Sequence, residues 1–300
     1  MENKLSWRTA KWDQAQVKAL CKFVRERESI RLKKEAGLPF PWTDNPLLQQ
    51  YHWCNCHHKD NRVSRWIAQH WCAPHADDPD LWFALLVARR ATNHPETMAE
   101  LGYPVPWRSK HFLKVFADRA KCGEKVYHTP AYRLVLQTEQ AGTIAERVER
   151  SVLTPMWTKR EYFRPCPGDT LASFHERLAS AKYLGQFFSA QIVADIKYLQ
   201  LRHAPDWLDF AVPGPGSARG LNRVLGLPVR FGNPSGCASW NRDKRTEWHS
   251  RVMELRSLAG LDSWELQDVQ GVLCEFDKYQ RLILRDGNYV RRYTPGKHSR

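Results

Sequence analysis

Asp268, Gly271, Glu275 and Lys278 recur at i, i+3, i+7 and i+10. On an α-helix this spacing sets two carboxylates and an ammonium in one row beside a glycine that leaves room. The row lies about 100° around the axis from the apolar stripe Leu266, Val269, Leu273 and Phe276. A carboxylate so placed can take a proton from an attacking amine while the cation holds an anionic group. A solvated charged face would have the same spacing, so the pattern alone leaves both readings open.

Two further runs have chemical potential. In Pro213-Gly214-Pro215-Gly216-Ser217-Ala218-Arg219-Gly220, glycines let backbone N–H groups approach an anion, and a short helix expected over 219–225 would add its positive end. No Gly-Lys-Ser/Thr follows, so this is not a Walker loop, and Gly-Pro turns also serve as ordinary loops. In the run Tyr51–Ser64, Cys54, Cys56, His57 and His58 could ligate zinc only with a distant second pair, for which His70, Cys72 and His75 are available. Adjacent side chains diverge on most backbones. The run therefore reads as a polar loop entering a helix, and no metal is expected.

The elements that must position these residues are mainly helical. The chain expects a helix over 12–35, ending in Lys33 and Lys34 before Gly37, and an N-cap at Asp44 or Asn45 ahead of Pro46. It expects a helix apolar nearly all round over 80–91 and an amphipathic one over 143–153 stopping at Thr154-Pro155. Two helices between Ser173 and Leu199 meet near Leu184-Gly185, the second carrying Gln191 and Asp195 four residues apart. The last helix is expected over 263–280, and a short strand over 289–293. The expected fold is mainly α, a helical bundle with long Gly/Pro loops and little or no sheet. Its division is a basic N-terminal helix and linker (1–38), a helical catalytic domain (39–295) and a basic tail (296–300).

Composition narrows the partners. With 46 Lys+Arg against 32 Asp+Glu the formal charge is +14, and 42% of residues are hydrophobic, 13 of them Trp. The apolar content supplies a core, and the positive excess suits a polyanion, nucleic acid first. Basic–aromatic neighbours such as Arg65-Trp66, Trp107-Arg108 and Arg291-Arg292-Tyr293 fit phosphate contact with base stacking. Apolar runs are too short to span a bilayer and the opening residues are polar. Eight scattered cysteines read as reduced thiols. A cytoplasmic setting is expected.

Five motifs in order carry a resemblance. They are Pro41-Trp42-Thr43-Asp44-Asn45-Pro46 with Trp53-Cys54-Asn55 running to Arg62-Val63-Ser64; Arg90-Ala91-Thr92-Asn93-His94-Pro95-Glu96-Thr97; Gln191–Asp195; Gly214–Asn222; and Asp268-Val269-Gln270 leading to Leu273–Tyr279. Together, over roughly 39–295, they resemble the α-glutamyl/putrescinyl thymine pyrophosphorylase family, amino acid:DNA transferases of phage thymine hypermodification. A similar helical module is fused to 5-hydroxymethyluracil DNA kinases, which add a P-loop domain that these 300 residues lack.

The resemblance implies a fold related to helix-hairpin-helix DNA glycosylases, with Tyr183-Leu184-Gly185-Gln186-Phe187 at the hairpin and Tyr183 replacing its first glycine. No Asp precedes Ser217-Ala218-Arg219 where a glycosylase would place one, which argues against N-glycosidic cleavage. Many members carry Arg and Asp where His58 and Asn61 stand, and Asp60 offers a substitute carboxylate. The implied partners are double-stranded DNA carrying phosphorylated 5-hydroxymethyluracil and a small amine donor, an amino acid or polyamine, with the target base flipped into a pocket. Neither metal nor organic cofactor is required by that chemistry.

In this implied mechanism Asp268 or Glu275 deprotonates the amine, and Asp195 is a further candidate base. Lys278 holds an anionic oxygen. Arg219 with the N–H groups of Gly216 and Gly220 takes the leaving phosphate, and Asn55 reads the pyrimidine edge. His58, Asp60, Arg90, Asn93 and Gln191 complete the substrate contacts. A glycosylase-like enzyme and a non-catalytic DNA-binding subunit are the alternatives. The sequence reading expects Asn55, Arg219 and Glu275 around one cavity.

Overall fold

Asp13 sets the first helix: its carboxylate accepts from the N–H groups of Ala15 and Gln16 at 3.0 and 3.1 Å, and α1 runs Gln14–Glu35. The computed structural model describes residues 6–127, 141–287 and 291–294. After α1 come α2 (Pro46–Gln50, capped by Asn45 with Pro46 in its first turn), α3 (Arg62–Ile67), α4 (Leu81–Leu86), α5 (Pro95–Leu101) and α6 (Ser109–Lys121). Then follow α7 (Ile144–Val148), α8 (Thr154–Thr158), α9 (Arg160–Phe163), α10 (Leu171–Ala179) and α11 (Gly185–Ile196). The series closes with α12 (Pro215–Val224), α13 (Arg242–Leu258) and α14 (Leu266–Leu284). The fold is mainly helical, with no strand among the described residues. Of the strand expected over 289–293, residues 289 and 290 lie outside the described residues, and Arg292 makes one isolated antiparallel bridge to Tyr51. The basic tail 296–300 also lies outside them.

The chain forms two compact units, one of residues 1–60 with 211–300 and the other of 61–210. In the first, α1, α12, α13 and α14 pack around Leu20, Phe23, Leu221, Trp248, Leu255, Leu273 and Phe276. The N-terminal segment is stapled to this core: Trp7 Nε1 donates to Asn222 Oδ1 at 2.7 Å, and Asn222 Nδ2 donates to the carbonyls of Val229 and Phe231 at 3.0 Å each. All are groups that burial would otherwise leave unsatisfied.

The glycine run is not a loop. Helix α12 starts at Pro215, four residues before the expected start, with Pro in its first turn, where a missing N–H costs nothing. Gly216 and Gly220 lie inside the helix against α14. A Cβ on Gly216 would sit 2.3 Å from Cys274 Sγ, and one on Gly220 2.2 Å from the Leu273 carbonyl oxygen. These glycines let two helix backbones touch. Gly220, the sixth residue of α12, bonds its N–H to the preceding turn and is not the anion donor expected of it, whereas Gly216 lies in the first turn.

In the second unit, α4 is buried on every side and continues as a π-helical segment, Val87–Thr92, ending at Asn93 with φ 49°. Helix α7 does not stop at Thr154-Pro155 as expected. It runs through a π-helical segment, Glu149–Leu153, into α8, where Pro155 occupies the first turn. Helices α10 and α11 pack together across a connection in which Tyr183 and Gly185 both take positive φ, 68° and 69°, with Leu184 buried between them.

The α12–α14 contact predicts a sharp stability effect. Gly220→Ala forces its methyl against a backbone carbonyl that cannot rotate away, so a loss of about 3 kcal/mol or more is expected in urea unfolding. Gly271→Ala, on the open side of α14, serves as the control, with a stability within about 1 kcal/mol of the parent.

Candidate active site

The row Asp268, Glu275 and Lys278 is not a solvated face. Asp268 and Glu275 are 3% and 6% exposed, while a Cβ added at Gly271 meets nothing within 4 Å, so the helix presents charged groups beside free space. The loop 54–58 is held against this row. His57 Nδ1 lies 2.7 Å from Asp268 Oδ2, and the His58 N–H donates to Asp268 Oδ1 at 2.8 Å. The Cys54 N–H donates to Glu275 Oε2 at 3.3 Å, and the Lys278 ammonium donates to Glu275 Oε1. Arg27 Nη2 holds the Cys54 carbonyl at 2.7 Å, and Asn55 Nδ2 donates to the Asp60 carbonyl at 2.6 Å. Asn55, His58 and Asp60 therefore stand in the same loop system as Asp268 and Glu275.

Hydrogen bonding to Asp268, then to Glu28, raises the His57 pKa to about 9, against the opposing pull of burial. Burial would raise Glu28, but His57 and Arg31 outweigh it and hold this carboxyl at about 2. His57 is thus an imidazolium between two carboxylates, resting on the Trp264 ring at 4.3 Å. Asp268, with both oxygens engaged by the loop, acts as its anchor. Burial pulls the Lys278 ammonium down, yet the Glu275 charge beside it prevails and keeps its pKa above the ordinary lysine value. The Glu275 charge pushes the Cys54 thiol up to about 12, and burial raises Cys56. Among the described residues no group of three or more His, Cys, Asp or Glu side chains is arranged to hold a metal ion.

Arg219 points elsewhere. Its Nε donates to Asp277 Oδ2 at 2.9 Å, Arg223 Nε donates to Asp277 Oδ1 at 2.9 Å, and Arg281 Nε lies 3.4 Å from Asp277 Oδ2. Asp277 is fully buried and sits about 160° around α14 from Glu275. Arg223 Nη2 also donates to Asp286 at 2.9 Å. Arg219, Arg223, Arg281 and Asp286 line a cavity of about 360 Å³ with Arg230, Asn233 and Ser235, and Asp277 lies behind them. Asn55 and Glu275 are not among its lining residues, so the three groups expected around one cavity do not share this one.

The second unit holds the other candidates. Asp195 takes a two-pronged ion pair from Arg89, Nε to Oδ2 at 2.7 Å and Nη2 to Oδ1 at 2.6 Å. Arg89 also donates to Asn93 Oδ1 at 3.1 Å and to Ser64 Oγ at 2.8 Å. Asp195 is therefore a structural counter-ion, and Asn93 is part of the same buried network. Gln191 is half-buried on α11. Arg90 is 1% exposed. It donates to the Tyr183 carbonyl at 3.3 Å and stacks on Phe188 at 4.5 Å. Its Nε and Nη1 make no hydrogen bond among the described residues, and burial lowers its pKa to about 10.

The sequence reading missed Asp277, Arg223, Arg281, His57 as a charged group, and Glu28. A signal existed for the first three. Arg219 and Arg223 are spaced i, i+4 on one helix, and Asp277 and Arg281 share that spacing on another. The Glu28–His57–Asp268 array joins three distant segments, which no local spacing reveals.

Fold and site together define a mainly helical, strongly basic protein with an acid–base row and a separate arginine-lined hollow. Its family is also defined: residues 14–288 match the family described as 5-hmdU DNA kinase, helical domain, and the chain belongs to it. No curated protein and no solved structure matches the chain. No helix among the described residues is long and apolar enough to cross a membrane.

Two outcomes follow from this geometry. A raised His57 pKa stabilises the fold fully below the unfolded value of ~6.5, and that contribution is lost as pH rises towards 9. The urea midpoint should therefore fall from pH 6.5 to 9.5 by more in the parent than in His57→Ala, and equal slopes would contradict the array. Asp195→Asn leaves Arg89 buried without its counter-charge and should cost ~3–5 kcal/mol in the same assay.

Proposed function

We propose that this protein is a DNA base-hypermodifying transferase that displaces phosphate or pyrophosphate from activated 5-hydroxymethyluracil in DNA with an amine, an amino acid or polyamine. Membership of the 5-hmdU DNA kinase helical-domain family suggests a role in thymine hypermodification, with hydroxymethyluracil-containing DNA as the polymer. The net charge of +14 supports a polyanionic partner. The observation that carries the reading is the ion pair of buried Glu275 with half-buried Lys278 beside the open face at Gly271, where loop 54–58 supplies polar groups.

In the proposed reaction the amine nitrogen forms a bond to the carbon attached to the pyrimidine ring, and the carbon–oxygen pair leaves with the phosphate. The nitrogen must shed a proton. Glu275 accepts it, with the Asp268–His57 pair holding the loop in place. Lys278 steadies a carboxylate of the donor or an oxygen of the leaving group. Asn55, whose amide donates to the Asp60 carbonyl, reads the pyrimidine edge next to His58. In the second unit, Arg90 keeps two donors without hydrogen-bond partners among the described residues, which suit an anion. Asn93, Gln191 and Asp195 act through the scaffold around it. Holding both reactants together supplies several kcal/mol of the barrier reduction.

The test uses duplex DNA in which 5-hydroxymethyluracil carries phosphate or pyrophosphate, incubated with a panel of amines. After digestion to nucleosides, an adduct of the expected mass supports the reading. Release of free base with an abasic site would replace it with a glycosylase, and DNA recovered unchanged under every condition would leave a binding subunit. Glu275→Gln should lower turnover about 100-fold or more while leaving duplex affinity unchanged.

A further inference from the structure

We propose that the arginine-lined cavity of the first unit is a phosphate-binding site distinct from the acid–base row. Four guanidiniums, of Arg219, Arg223, Arg230 and Arg281, converge on about 360 Å³ of space that also presents Asn233 and Ser235. Two carboxylates answer them, Asp277 and Asp286. Asp277 is fully buried and spends both oxygens on the Nε atoms of Arg219 and Arg223. The terminal nitrogens of Arg219 make no hydrogen bond to protein among the described residues, and Arg230 is exposed. The cavity thus holds a net positive charge of two, with forks fixed from behind by a carboxylate that no solvent reaches. A guanidinium fork fixed in this way matches the paired oxygens of a phosphate, and fixing it beforehand removes the side-chain ordering cost of binding.

Alternative ligands fit less well. A carboxylate carries one negative charge against the excess of two, and a neutral molecule would leave that excess uncompensated. Phosphate can reach the cavity as a diester of the DNA backbone or as free phosphate or pyrophosphate. The site stands on its own geometry and needs no transferase activity, so its failure and the failure of the proposed reaction are separable.

The experiment compares the parent with Arg219→Gln/Arg230→Gln, with Arg230→Gln alone as the variant least able to disturb folding, and with Lys18→Gln, an exposed lysine of α1. Binding of a fluorescent 12-base-pair duplex is followed by anisotropy over a salt series, and binding of pyrophosphate and inorganic phosphate by calorimetry. A tenfold or greater loss of duplex affinity in the double variant, with the log–log salt slope reduced by about one to two and Lys18→Gln unaffected, assigns the cavity to a backbone phosphate. A comparable loss confined to pyrophosphate or phosphate assigns it to the free anion. Folded variants, with parental circular dichroism and melting temperature, that bind all three probes as the parent does would overturn the proposal. So would a parent that binds none of them.

Discussion

The backbone contact between α12 and α14 is the constraint on which the rest of the first unit depends. Only hydrogen side chains at Gly216 and Gly220 permit it, and it settles which residues of α14 face which surroundings. Once Leu273 and Cys274 lie against α12, Asp277 comes within reach of Arg219 and Arg223. Asp268, Gly271, Glu275 and Lys278 turn towards the loop 54–58. One helix thereby serves two electrostatic environments of opposite character. One is an acidic row holding an imidazolium and an ammonium, and the other is a basic hollow organised around a carboxylate. A solvated helix could not keep these apart, because exposed charges a few ångströms from water contribute little to one another.

Local sequence made most of the helices legible. Asn45 and Pro46 announce their helix start because capping is decided by neighbouring residues. The stripe Leu266, Val269, Leu273 and Phe276 announces its buried face because helical period is a local property. Glycine was harder to read. At Gly214-Pro215-Gly216 its presence signals either freedom of the chain or closeness of a neighbour, and the second meaning requires knowing that Leu273 and Cys274 are that neighbour. The end of α7 misled for a similar reason. Pro155 blocks a helix interior yet suits a first turn, and the π-helical segment at 149–153 moves it into one.

The candidate site divided along the same line. Asp268, Glu275 and Lys278 share one helix, so spacing brought them together, and the structure keeps them together. Arg219 and Glu275 came from different helices, and their joint placement rested on an assumed geometry that the α12–α14 crossing does not provide. Asp195 shows how a carboxylate on a promising face can be spent elsewhere. Its partner Arg89 lies 106 positions away in sequence, in a π-helical segment whose widened turn carries Arg89 and Arg90 into the interior together.

The stapling of Trp7 to Asn222 has a consequence for how the molecule is made. The first unit is assembled from two stretches separated by about 150 residues, so during synthesis α1 and α2 emerge long before α12 to α14 exist to cover them. The inserted stretch, continuous in sequence, has all its partners at hand earlier. Closing so long an excursion adds little thermodynamic cost, since each doubling of loop length costs only about 0.6 kcal/mol. The demand falls on time instead: Phe23, Val24 and Ile30 wait in the nascent chain as an uncovered apolar face, a natural client for chaperones until the last helices arrive.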